Sequence, residues 1–327
     1  MTTTNPYYQG PPSDHFDGTR FFNPGQTAPN SGFGDFLRWK LSARPAPWPR
    51  SVPVAEAVPE AQVAGLRITM VGHATLLIQA AGLNILTDPV WSDRASPLSF
   101  TGPKRVTRPG IDFASLPPIQ VVLLSHNHYD HLDMATLKRL QAAHRPLFVM
   151  PLGNDAIVRR AVPDARIVTG DWGDAIELGE GVEAHLVPAN HWSSRGARDQ
   201  RMALWCGFMI RTGAGLVYFA GDTGYGDGTI FRDMHARFGA PDVSLIPIGA
   251  YEPRWFMEPQ HANPEEAVRI MLDTGTKRAI GIHWGTFQLT DEARDAPAIG
   301  LEAALTANGI DPARFVAGVP GGVYELP

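Results

Sequence analysis

From about residue 65 onward the chain is built of short apolar runs divided by turn residues. Residues 66–71, 75–79 and 83–87 read as consecutive strands, and 119–124, an unbroken run rich in β-branched side chains, reads as a strand buried on both faces. Further runs at 147–150, 167–168, 182–187, 202–211, 216–220, 243–247 and 279–283 predict more strands. Between them, 134–143, 154–161, 229–238, 264–272 and 297–308 predict helices. Two helix starts are marked. Asp133 stands at a cap position, and Asn263-Pro264-Glu265-Glu266 supplies a cap, a proline at the first helical position, and acids near the positive end of the helix dipole. Strands mixed with helices imply sheets covered by helices, an α/β fold. No fixed-period repeat of a solenoid is visible. Residues 1–60 are rich in Pro, Gly and Asn and predict an extension that wraps or caps a domain spanning 61–327; a short amphipathic stretch lies within it at 33–41.

Composition narrows the function classes. Apolar residues make up 44% of the 327, enough for a large core, and the net charge of −5 gives no general attraction for nucleic acid or an anionic membrane. The single cysteine, Cys206, excludes an intrachain disulfide and lies in a strand-like run, which places it in the core. The N-terminus lacks the basic start and apolar run of a secretory signal, and no stretch approaches the roughly 20 apolar residues of a membrane span. The expectation is a cytoplasmic protein, with peripheral contact at a membrane left open. Histidine changes the picture more: there are 11, several in tight clusters.

Ser125-His126-Asn127-His128-Tyr129-Asp130-His131 directly follows the buried strand, at the end where α/β sites are commonly built. His126 and His128, two apart, point to one side in extended backbone. Imidazoles with a carboxylate suit zinc and related divalent ions. Four ligand-type side chains on so short a loop cannot all wrap one ion, so two neighbouring ions fit better, each completed from elsewhere. His191, Asp222 and His283 qualify, because each follows or ends a predicted strand.

The His-x-His-x-Asp-His loop with later His, Asp and His at strand ends resembles the metallo-β-lactamase superfamily, whose fold is an αββα sandwich with metals at one edge of two sheets. Val71-Gly72-His73-Ala74-Thr75, Thr87-Asp88-Pro89-Val90-Trp91, the stretch from Gly249 through Tyr251, Arg254, Trp255 and Phe256 to Met257, and Ile282-His283-Trp284-Gly285-Thr286-Phe287 are similar to the branch that contains N-acyl-phosphatidylethanolamine-hydrolysing phospholipases D. The resemblance runs from about His15 to about Leu289. It implies that His126, His128 and His191 hold one ion, that Asp130, His131 and His283 hold the other, and that Asp222 bridges them. His73 and Asp88 fall beside the site as supporting residues. His261 matches a substrate-side histidine that positions phosphate or protonates a leaving alkoxide. His15, His144, His185 and His235 are left as structural or solvated.

Two ions can share a hydroxide and lower its pKa toward neutrality, which explains why no serine or cysteine nucleophile is required. Asp130 and His261 are the expected catalytic side chains. Tyr251, Arg254, Trp255, Phe256 and Met257 are expected to line an apolar substrate groove, extended by Phe21-Phe22 and residues 33–41. The resemblance implies phosphodiester hydrolysis on an N-acyl-phosphatidylethanolamine-like lipid. A lactonase or another ester or amide hydrolase is the alternative, since the same metal pair activates water for each. Zinc is the expected metal, with iron or manganese able to occupy a similar site.

Overall fold

The computed structural model describes residues 4–25 and 33–326; residues 1–3 and 26–32 of the predicted extension lie outside them. Two seven-stranded sheets stack face to face. The first contains β1 (Leu66–Gly72), β2 (Thr75–Ala80), β3 (Leu83–Thr87), β4 (Val121–Leu123), β5 (Leu147–Pro151), β6 (Arg166–Gly170) and β14 (Val323–Leu326), in the order β14-β1-β2-β3-β4-β5-β6. The second contains β7 (Ala175–Gly179), β8 (Val182–Val187), β9 (Gly207–Thr212), β10 (Gly215–Phe219), β11 (Val243–Pro247), β12 (Arg278–Ile282) and β13 (Phe315–Ala317), in the order β13-β12-β11-β10-β9-β8-β7. Each sheet has three antiparallel pairings followed by three parallel ones, so one strand plan is used twice.

The strands' period of two explains the layers. Val121 and Leu123 point into the core between the sheets, with Met70, Leu76, Phe208, Val217 and Ile280. Val122 and Leu124 point the other way, against Leu137 and Leu140 of α2 (Met134–His144). On the second sheet Val217 and Phe219 face inward, while Leu216 and Tyr218 meet α4 (Thr229–Phe238), α6 (Pro264–Asp273) and α7 (Ala296–Ala307). The result is an αββα sandwich. Both marked helix starts are present: the Asp133 carboxylate accepts from the Ala135 N–H, and Asn263 forms a capping box with Glu266.

The strand expected over 202–211 is shorter than its apolar run. Residues 202–206 are buried but not in a strand, because Met202, Leu204 and Trp205 pack as a loop; Leu204 and Trp205 lie against Phe16 and Phe21 of the N-terminal segment. Cys206 is buried, as its apolar context predicts. The amphipathic stretch forms α1 (Phe33–Ser42), and the helix expected over 154–161 is the shorter α3 (Asn154–Val158). A helix of one turn, α5 (Arg254–Met257), and strands β7, β13 and β14 were not expected from the apolar pattern. No helix among the described residues is long and apolar enough to cross a membrane.

Candidate metal centre

Because β3 and β4 run parallel, as do β10, β11 and β12, their C-terminal ends lie together along one edge of the sandwich. The loop after β4 carries His126, His128, Asp130 and His131. His191 follows β8, Asp222 follows β10, and His283 follows β12. Asp88 follows β3 and His73 follows β1, so six loops meet at this edge. His73, Asp88 and His283 all have left-handed backbone, with φ of 58°, 35° and 62°. That conformation costs a non-glycine residue about 1 kcal/mol or more and here turns each side chain away from its strand direction. Gly221 also has positive φ, and a side chain there would lie 2.7 Å from Ser125 Cβ, so only glycine lets the Asp222 turn approach the β4 loop.

The expected metal ligands converge in two groups. On one side His126 Nε2 lies 2.9 Å from His128 Nδ1, and His191 Nε2 lies 3.2 Å from the same atom. On the other, Asp130 Oδ2 lies 3.2 Å from His283 Nε2 and 3.5 Å from His131 Nε2. One oxygen faces both groups. Asp222 Oδ2 is 3.1 Å from His131 Nε2 and 3.2 Å from His283 Nε2, and it is 3.7 and 3.9 Å from the Nε2 atoms of His191 and His126. His131 Nε2 and Asp222 Oδ1 are buried without a hydrogen-bond partner. Three imidazole nitrogens converging so closely cannot all be satisfied by protons passed among themselves. A cation in each group satisfies them, so the donors present fit divalent metal ions.

The other ring nitrogens are held from behind. Asp88 Oδ2 lies 2.6 Å from His131 Nδ1, while Asp88 also accepts from the Ser125 N–H at 2.7 Å and the Ser125 hydroxyl at 2.5 Å. Ser125 Oγ in turn lies 2.9 Å from His126 Nδ1, and the Gln260 carbonyl lies 3.0 Å from His191 Nδ1. A carboxylate or carbonyl can only accept, so His131 and His191 carry a proton on Nδ1 and turn Nε2 into the site. His73 is closer to the centre than a backing residue: its Nε2 is 2.9 Å from Asp130 Oδ2. Ser125 and Gln260 were not singled out from sequence; their only signal is adjacency to His126 and His261.

Charge divides the site. Burial, reinforced by neighbouring histidines, pushes His126 far below its ordinary pKa, His128 to about 3 and His191 to about 4, so that group is neutral. Burial also opposes protonation of His131 and His283, but the Asp222 and Asp130 carboxylates overcome it. His131 is raised well above its usual range and His283 to about 9. Those two protons occupy the region that a cation would otherwise neutralise.

Of the expected substrate residues, His261 is closest. Its Nδ1 is 4.0 Å from Asp222 Oδ2, buried and without a partner, and burial holds the ring neutral. Arg254 does not face an open groove: its guanidinium grips Glu266 at 2.8 and 2.9 Å and the His261 carbonyl at 2.9 Å. Phe256 and Met257 pack under Trp39 of α1, with the Trp39 and Phe256 rings stacked at 5.3 Å. Trp255 is half exposed, and Tyr251 is partly buried. Phe21 is fully buried against Leu204 and Trp205 and extends no groove.

The family model for the beta-lactamase superfamily domain matches residues 83–284, which carry every expected metal ligand. The chain belongs to the metallo-β-lactamase superfamily. This hydrolase is similar to N-acyl-phosphatidylethanolamine-hydrolyzing phospholipase D 1 of Caenorhabditis elegans, 39% identical over 233 residues that make up 69% of this chain and 65% of the worm protein. It is also similar to a metal-dependent hydrolase of Pyrobaculum neutrophilum, 32% identical over 226 residues, 68% of this chain and 86% of that one. A metallo hydrolase from Ignicoccus hospitalis has the same fold, with a TM-score of 0.57 and 20% identity over 80% of this chain and 99% of that one. The protein is thus a metal-dependent hydrolase of the superfamily.

Proposed function

We propose that this hydrolase binds two divalent ions and cleaves a phosphodiester bond in an N-acylated ethanolamine phospholipid or a related lipid. The observation that carries this reading is the shared position of Asp222 Oδ2 between the two ligand groups, with the unpartnered His261 ring beside it. His126, His128 and His191 would hold one ion, Asp130, His131 and His283 the other, and Asp222 would bridge them. Such a pair lowers the pKa of water and neutralises charge developing on a phosphoryl oxygen.

The chain's own side chains do the rest. His73 and Asp88 orient Asp130 and His131. The neutral His261 ring donates an N–H to a phosphoryl or leaving oxygen, and Arg254 holds the His261 backbone in place rather than touching substrate. Water adds to phosphorus, the bond from phosphorus to the ethanolamine oxygen breaks, and the alkoxide leaves as an alcohol after taking up a proton, with a phosphatidic acid as the other product. Similarity to the worm phospholipase supports the lipid class. A recess of about 580 Å³ lies beside the metal loop; its lining mixes Leu98, Tyr129 and Met134 with Lys138, Arg195, Asp93 and Asp133, so it does not by itself select a lipid.

Hydrolysis in water enriched in heavy oxygen tests the reaction. The label is expected in the phosphate product and not in the alcohol. Label in a carboxylate product would move the assignment to an ester or lactone hydrolase. With metals loaded, absence of phosphodiesterase activity on any lipid would remove the lipid reading. His261→Ala should retain the metals and lower turnover by about 10²-fold or more.

A further inference from the structure

Strand β11 ends beside β12, and the Ile248 N–H still donates to the Ile282 carbonyl at 3.0 Å. The chain then crosses over His283. A side chain on Gly249 would lie 2.4 Å from the His283 carbonyl oxygen, so glycine alone permits the approach. Ala250 follows with φ 62°, in the left-handed region that a residue with a Cβ rarely adopts.

Glu292 holds this turn from beneath. Its side chain is buried, with the residue only 8% exposed. Oε1 accepts the Ala250 N–H at 2.6 Å, and Oε2 accepts the Glu252 N–H at 3.2 Å and the Thr290 hydroxyl at 2.7 Å. A carboxylate only accepts, so its two oxygens serve all three donors; an amide would turn its NH2 toward one of them. None of the described ion pairs includes Glu292, so its charge is surrounded by neutral donors, an expensive arrangement for a group that merely fills space.

Between the two anchored amides stands Tyr251. Its hydroxyl has no partner among the described residues, whereas the Tyr129 and Tyr225 hydroxyls are bonded to the Arg195 carbonyl and to Asp273. Burial, with Glu292 and Glu252 adding to it, pushes the Tyr251 phenol up to about 12, so it remains a donor at neutral pH. The same segment ties the turn to the N-terminal arm: the Asp291 carboxylate accepts from the Trp39 indole at 3.1 Å, the Asp291 carbonyl from the Ala46 N–H at 2.9 Å, and the Glu292 carbonyl from the Trp48 indole at 3.0 Å.

We propose that Glu292 is a positioning residue: by holding the Ala250 and Glu252 amides it fixes Tyr251, on the turn whose Gly249 crosses His283, as a hydrogen-bond donor to substrate. The proposal rests on the hydrolytic reading above, and its tests separate the two. Glu292→Gln, which preserves shape, should retain the metals of the wild type. Its kcat/KM for a long-chain N-acylated phospholipid should fall at least about tenfold, and several-fold more than for bis(p-nitrophenyl) phosphate. In a Tyr251→Phe background the same substitution should cost little more, because both act through one group. Equal losses in both backgrounds would overturn the proposal in favour of a purely structural carboxylate. A readout free of activity is the titration of the Tyr251 ring in tyrosine-labelled protein by NMR, with Tyr251→Phe assigning the signal. Its midpoint should fall in Glu292→Gln, since a raising charge is removed. An unchanged signal and midpoint would overturn the proposal even if the wild-type enzyme cleaved no phosphodiester, an outcome that by itself would count only against the function proposed above.

Discussion

On one side of Asp222 stand three imidazoles, His126, His128 and His191; on the other stand Asp130, His131 and His283, with His73 against Asp130 and Asp88 behind His131. The groups occupy matching positions around one carboxylate oxygen, yet their electrostatics differ. The imidazole side is neutral because burial excludes protons from rings that already crowd one another. The mixed side keeps protons because Asp130 and Asp222 are too close to leave uncompensated. An ion entering the first group meets open lone pairs, while an ion entering the second must displace protons. Under the two-ion reading proposed above, similar geometry gives the ions different pH dependence, a distinction set by what lies just behind the ligands.

The largest test is to remove what the two sides share. Asp222→Ala should empty or loosen both ion positions and lower activity on the order of 10³-fold; elemental analysis showing both ions still tightly bound would break the bridging assignment. Single-sided changes sharpen the contrast. His191→Ala and His283→Ala should each lose about one ion, not both. If either change strips the whole site, the two groups do not bind separately. Asp88→Asn removes the charge behind His131 and turns one of the two acceptor oxygens into a donor that cannot serve Ser125 and His131 together, and should weaken metal affinity on the mixed side by about 10–100-fold, measured by competition with a chelator.

Proton release is a smaller effect and the most direct reading of the asymmetry. Zinc added to metal-free protein near neutral pH should release protons from His131 and His283, beyond any taken from metal-bound water, detected by calorimetry in buffers of different ionisation enthalpy. The stability of metal-free protein follows the same division. His283 has its pKa raised from 6.5 to about 9, so its contribution is complete below about 6.5 and is lost as pH rises through about 9. His128 and His191 have the opposite sign. Held at about 3 and 4, they remain neutral when folded while their unfolded counterparts take up protons, so stability falls as pH drops below 6.5. The melting temperature of chelated protein should peak near pH 6.5, where the two contributions meet, and a flat profile from pH 5 to 10 would remove the charge asymmetry.

Much of the fold was legible because its cause is local. The double-faced burial of β4 is written in the unbroken run around Val121–Leu123, and the start of α6 in Asn263-Pro264-Glu265-Glu266. Elements whose apolar pattern is weak were not legible. β7 alternates exposed and buried positions at a sheet edge, and β14 is an edge strand that exists by pairing with β1, more than two hundred residues away in sequence. The run at 202–211 misled for a related reason: burial, not pairing, makes residues 202–206 apolar.

The sequence by itself determined the chemistry of the centre. Histidine and aspartate at that spacing after a buried strand have the donor chemistry to ligate a metal once they are brought together, and strand ends are where chains bring groups together. What only the tertiary structure decided is which partners each side chain has. Asp88 reaches His131 across 43 residues, Asp130 meets His283 across 153, and Arg254 turns to Glu266 and the His261 carbonyl instead of a groove. Residue type dictates what a side chain can donate or accept. Distance, burial and the field of neighbouring charges dictate what it does, and these arise only when distant strands share an edge.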